Sequence, residues 1–153
     1  MAEIERRLQF ILSLMDMKGI TKVELARRLG FTPQNVFTYF QRDDMKLSLA
    51  QKIVNLIGYD MQIDLVKERP GNVVVDIENP VGKEGVQRLS FLTLAMSRYW
   101  IGRKELAEAL GLNYTAVNRW FHVDDIAVSY IYKIADLYGL TVNIKAKARE
   151  ENA

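Results

Sequence analysis

Two pairs of adjacent aspartates, Asp43-Asp44 and Asp124-Asp125, and a single histidine, His122, come nearest to acid–base or metal chemistry in this chain. Adjacent carboxylates suit a hard cation. A calcium site, however, needs about six to eight oxygens at loop spacing, and neither pair is followed by them. One histidine cannot form a His cluster, and beside Phe121 at a helix end it is an ordinary surface residue. The absence of cysteine removes thiolate ligands, thiol nucleophiles and disulfides together, and suits a reducing compartment. No glycine-rich phosphate loop or nucleophile motif occurs. The sequence nominates no enzyme, no cofactor and no metal, and implies no small-molecule ligand.

The 153 residues suit one ordinary domain or two small ones. Hydrophobic residues at 49% can build a core, and no tract is of low complexity. The first residues lack an apolar segment of the signal-peptide kind, and no apolar run nears the roughly 18 residues that span a bilayer. A cytoplasmic location without membrane contact is expected. Net charge is +2, a weak pointer to a polyanionic partner. Residues 1–70 hold 11 basic and 9 acidic side chains, and residues 71–153 hold 10 and 10, so the first half has the better electrostatics for one.

Sliding the chain against itself by 81 positions (Leu89 minus Leu8) aligns two segments without a gap. Some twenty positions are identical, including Glu24/Glu105, Ala26/Ala107, Gly30/Gly111, Val36/Val117, Phe40/Phe121, Asp43/Asp124 and Lys52/Lys133. An ungapped match running through turns marks duplication of one folding unit. The expected domains are unit one over 1–67, a hairpin turn, second strand and linker over 68–83, and unit two over 84–153.

Each unit reads as four helices and a strand. In unit one, Leu8, Ile11, Leu12 and Met15 recur at helical spacing. Thr21 with Glu24 is a capping box for a second helix that ends at Gly30. Thr32 caps a third helix with Pro33 at its first position. Ser48 is expected to cap a fourth, with Leu49, Ile53 and Leu56 inward and Gly58 at its end. Met61, Ile63 and Leu65 then alternate with polar residues as in a strand. Unit two repeats the pattern. Gly102 and Glu105 open its second helix, Asn113 and Ser129 cap its third and fourth, and Gly139 closes the fourth. Val142, Ile144 and Ala146 then alternate with Asn143, Lys145 and Lys147. Pro70-Gly71 suits a type II turn, with Val73, Val75 and Ile77 as a further strand. A hairpin alone is marginal in water, so it is expected to recruit residues 141–148 into a small antiparallel sheet between the units.

The second and third helices meet the mechanical needs of a helix-turn-helix. A small residue stands at the crossing (Ala26, Ala107), and a glycine tolerates positive φ in the turn (Gly30, Gly111). A branched anchor follows on the third helix (Val36, Val117). KVELARRLGFTPQNVFTYF and RKELAEALGLNYTAVNRWF resemble the lambda-repressor/Cro-type (XRE-like) helix-turn-helix family, and SLAQKIVNLIGYD resembles its fourth helix. The resemblance covers about 120 residues and leaves 68–83 outside. It implies a mainly α fold of two four-helix units. It further implies a sequence-specific binder of double-stranded DNA, commonly a repressor of transcription at the nucleoid.

The resemblance places the start of the third helix in the major groove. The base-contacting candidates are then Gln34, Asn35, Phe37 and Thr38, with Tyr114, Thr115, Asn118 and Arg119 in unit two. Amides pair with adenine, guanidinium with guanine, and methyl or aromatic carbons with the thymine methyl. Lys22 and Arg103 at the second helix, Thr32 and Asn113 at the third, and Arg42 and Lys46 in the following loop are phosphate candidates. Tyr39, Phe40, Trp120 and Phe121 are expected in the core. The paired aspartates depart from the family, since carboxylates repel phosphate. Either one of each pair caps or salt-bridges locally, turned away from DNA, or one unit, expected to be unit two because its loop lacks basic residues, has lost much of its grip; both units are expected to contact DNA, unit one the more strongly.

Two readings compete. In the first, the chain is a covalent pseudo-dimer whose two recognition helices read successive major-groove segments, roughly 34 Å apart. In the second, it is a protein-interaction module such as an antitoxin or antirepressor subunit, favoured by near-neutral charge, Phe37 and the acidic loops. A homodimer of the whole chain is compatible with either.

Overall fold

The computed structural model describes residues 6–67 and 87–149. The expected turn at Pro70-Gly71 and strand over 73–77 lie outside the described residues. Those described form eight helices and two strands: α1 (Gln9–Lys18), α2 (Lys22–Leu29), α3 (Pro33–Arg42), α4 (Leu47–Ile57), β1 (Tyr59–Val66), α5 (Ser90–Arg98), α6 (Arg103–Leu110), α7 (Tyr114–Val123), α8 (Val128–Tyr138) and β2 (Thr141–Ala148). Adding 81 to the bounds of α2, α3 and α4 gives those of α6, α7 and α8. No helix among the described residues is long and apolar enough to cross a membrane.

Local chemistry explains most boundaries. The Thr21 hydroxyl accepts from Glu24 N–H to start α2, and Thr32 accepts from Asn35 N–H to start α3 behind Pro33. Gly30 and Gly111 end α2 and α6 at φ 73° and 69°, a region costly for a residue with a β-carbon. Four expectations need correction. Lys46 and Ala127, not Ser48 and Ser129, occupy the N-cap positions of α4 and α8; the serines lie inside the first turn, and their N–H groups go to aspartates of the other repeat. Asn113 occupies the N-cap of α7 without a side-chain capping bond. Leu56 points outward, because Leu47, Ala50, Ile53, Val54 and Ile57 fill the inner face of α4. β2 is half-buried over its first four residues and exposed beyond, so Ala146 is not inward. Its physical cause is position: β1 is packed by α4 and α5, whereas β2 meets α8.

The strands pair antiparallel from Tyr59↔Ala148 to Val66↔Thr141. At the middle, Ile63 faces Ile144, its own counterpart 81 positions later. A second pairing, Lys46↔Ala127, also joins counterparts. It is flanked by reciprocal bonds of equal length: Leu47 N–H donates to Ile126 C=O and Val128 N–H to Met45 C=O, each at 2.8 Å. An antiparallel ladder has a local two-fold axis at its centre. With counterparts at that centre twice over, the axis relates the repeated segments to each other. Their buried side chains form one continuous cluster, from Leu8 through Met61, Ile63 and Leu65 to Leu140.

Candidate nucleic-acid interface

α2 packs on α3, and α6 on α7. Ala26 is fully buried and Val36 is 2% exposed; Ala107 and Val117 are equally enclosed. Small residues at the crossing let the helices approach, and branched anchors fix their angle. The residues left outside are those of interest. Gln34, Asn35 and Phe37 are exposed on α3, and Thr115, Arg119 and Tyr114 on α7. Phe40 is buried, while Tyr39, Trp120 and Phe121 pack against the core, as expected for them.

Four candidates are already engaged: Thr38, Thr32, Asn118 and Arg103. The Thr38 hydroxyl donates to Gln34 C=O at 2.8 Å, and Thr32 Oγ1 serves its capping bond. Asn118 Oδ1 accepts from Arg103 at 3.2 Å, leaving its amide N–H groups to face elsewhere. Arg103 also lies over the Phe121 ring at 4.1 Å. Its counterpart Lys22 stands 5.4 Å from the ring centre of Phe40, the counterpart of Phe121, and 6.0 Å from Phe37. In both repeats a cation at the start of one helix is therefore held over an aromatic ring of the next. This fixes a charge near a surface that carries exposed hydrogen-bonding groups. The aromatic platform was not legible in the sequence, where Phe40 and Phe121 read only as core.

The aspartates act as helix caps. Asp43 accepts from Arg7 and Leu8 N–H at 2.8 and 2.9 Å, and Asp124 accepts from Arg88 and Leu89 N–H at 2.7 and 2.9 Å. These are the free donors ahead of α1 and α5. The second member of each pair crosses the axis. Asp125 accepts from Ser48 N–H and Oγ–H at 3.0 and 2.6 Å, and Asp44 accepts from Ser129 N–H at 2.8 Å. The sequence assigns such a role to one of each pair, whereas all four carboxylates face backbone donors of the fold. The one signal for it was recurrence of Asp-Asp at the same place in both repeats.

Arg42 and Lys46 are exposed, and Lys46 belongs to the pairing on the axis. It shares a cleft of about 280 Å³ with Arg119, Trp120 and Val123 of α7. The end of α7 therefore lies close to the axis. Among the described residues, no group of three or more His, Asp or Glu side chains is placed to hold a metal ion.

No family model matches the chain, and no curated protein or solved structure matches it significantly.

Proposed function

We propose that the chain is a sequence-specific binder of double-stranded DNA that regulates transcription, as a repressor, from two helix-turn-helix units of the lambda-repressor/Cro kind. The observation that carries this reading is the pairing of two such helix pairs about one axis inside a single chain. Dimeric readers of this class use a two-fold axis to set two recognition helices on successive turns of the major groove. Here Ile63/Ile144 and Lys46/Ala127 supply the axis without a second subunit.

The chemistry of the outer faces supports the same reading. Gln34 and Asn35 can form paired hydrogen bonds with adenine, and Arg119 with guanine. Lys22 and Arg103, held over aromatic rings, suit phosphate oxygens at the starts of α2 and α6. Lys46 on the axis would stand over the centre of the bound site, with Ala127 as its counterpart. The exposed faces differ between repeats: from 31 to 39, only Val36 equals its counterpart, and Val36 is buried. The bound site would then be asymmetric. No reaction is assigned to the chain.

The rival reading, an antitoxin or antirepressor subunit that binds protein, is favoured by the exposed rings of Phe37 and Tyr114, 42% and 51% accessible. The acidic pairs that favoured it on sequence are engaged as helix caps. Titration of a labelled random-sequence duplex at several salt concentrations separates the two. DNA binding predicts affinity that falls steeply with salt, because phosphate contacts release counterions. No binding at low salt would refute it.

A further inference from the structure

Trp100 combines two features that ordinary folding disfavours. Its side chain is 91% accessible, and its backbone lies at φ 58°. A bulky residue in the left-handed region brings its β-carbon against the neighbouring carbonyl. The first repeat has the usual solution at the matching position, Gly19 at φ 66°. Both turns close alike: Ile20 N–H donates to Met15 C=O at 2.9 Å, and Ile101 N–H to Met96 C=O at 2.8 Å. The turn therefore demands the left-handed conformation, and a tryptophan adopts it while its ring remains in water. Strain of this kind, retained without any packing return, points to a role in contact.

The surroundings indicate the partner. Trp100 lies two residues before Gly102, the N-cap of α6, and three before Arg103. Arg103 and Lys104 are exposed at the start of α6, whereas Arg98, before the turn, is paired with Asp64 at 3.7 Å. Lys67, at the end of β1, joins them: its N–H donates to the Tyr99 hydroxyl at 2.9 Å and its ammonium lies 5.2 Å from that ring. An exposed apolar ring three residues before the exposed cations Arg103 and Lys104 matches the outside of a DNA strand, where deoxyribose faces alternate with phosphates. We infer that Trp100 packs against the sugar–phosphate backbone flanking the second repeat's half-site, beside the phosphate held by Arg103. This rests on the duplex-binding reading, and extends it to a contact that only one repeat makes.

The test compares wild type, Trp100→Gly and Trp100→Phe by anisotropy titration of a fluorescein-labelled random-sequence duplex, with thermal unfolding of each protein. A backbone contact is indifferent to sequence, so a random duplex suffices. Trp100→Gly restores the residue the turn prefers and should melt no lower than wild type. Yet it should bind the duplex about tenfold more weakly, the worth of partly burying an indole. The slope of affinity against salt should stay unchanged, because no charge is lost. Trp100→Phe should retain most of the affinity. If wild type binds and Trp100→Gly binds equally well, the Trp100 contact is refuted while duplex binding stands. Equal loss in the Phe and Gly variants would refute an aromatic contact. A wild-type chain that does not bind the duplex refutes both.

Discussion

The two repeats agree at the helix crossings and at the caps, and differ along the outer faces of α3 and α7. Identical pairs include Leu25/Leu106, Ala26/Ala107 and Val36/Val117 in the core, and Asp43/Asp124 and Asp44/Asp125 at the caps. Gln34/Thr115, Asn35/Ala116, Phe37/Asn118 and Thr38/Arg119, on the outer faces of α3 and α7, are all different. The crossings and caps tolerate little change, because a larger side chain at Ala26 or Ala107 would part the helices and loss of an aspartate would leave helix N–H groups without acceptors. The outer faces carry no such constraint. Under the proposed duplex reading, that difference would give one framework two separate specificities.

The largest expected effect breaks the framework unevenly. Asp125 accepts from Ser48 N–H and hydroxyl and from Ile126 N–H, whereas Asp44 accepts one bond from Ser129. Asp125→Ala should therefore lower unfolding free energy by about 2–3 kcal/mol, and Asp44→Ala by about 1 kcal/mol, read by urea denaturation. Equal losses would mean that the cross-axis caps contribute alike despite their different bonding.

Base readout should separate next. Gln34→Ala and Arg119→Ala should each cost about 1–3 kcal/mol against the preferred site, with relaxed preference in different halves of it. Site selection from random duplexes checks this; altered preference in only one variant would leave a single reading unit. Arg103→Ala should weaken binding uniformly across sequences and lower the salt slope by about one, and Lys22→Ala should do the same. Ala127→Lys adds a second charge on the axis and should raise that slope by about one.

The smallest effect concerns Tyr138, whose counterpart in the first repeat is the buried Ile57. Its hydroxyl is buried with no hydrogen-bond partner among the described residues, and burial first, Glu105 second, raises its pKa above the usual tyrosine value. Tyr138→Phe removes that orphaned group and should stabilise by up to about 1 kcal/mol, seen as a small rise in Tm.

Much of the framework was legible in the sequence, because its signals are local. Thr21, Thr32 and Pro33 mark helix starts within a few residues of their partners, and Gly30 and Gly58 mark ends by conformational need alone. The repeat itself emerged from identity at a fixed offset. What stayed hidden depends on distant partners. Ser48 resembles an N-cap by type, yet the pairing of Lys46 with Ala127 starts α4 earlier and turns Ser48 toward Asp125, 77 residues away. Asn118 read as a free amide because its partner Arg103 sits on another helix, 15 residues earlier. The strain at Trp100 needed the backbone angle, since the alignment shows only that glycine and tryptophan share a position.

The most direct test of the account is selection of bound sites from random duplexes by the wild-type chain. Two unlike half-sites, their centres about 10 base pairs apart, are the predicted result. A palindrome, a single half-site or no enrichment would contradict the view that one chain carries two different readers about an internal axis.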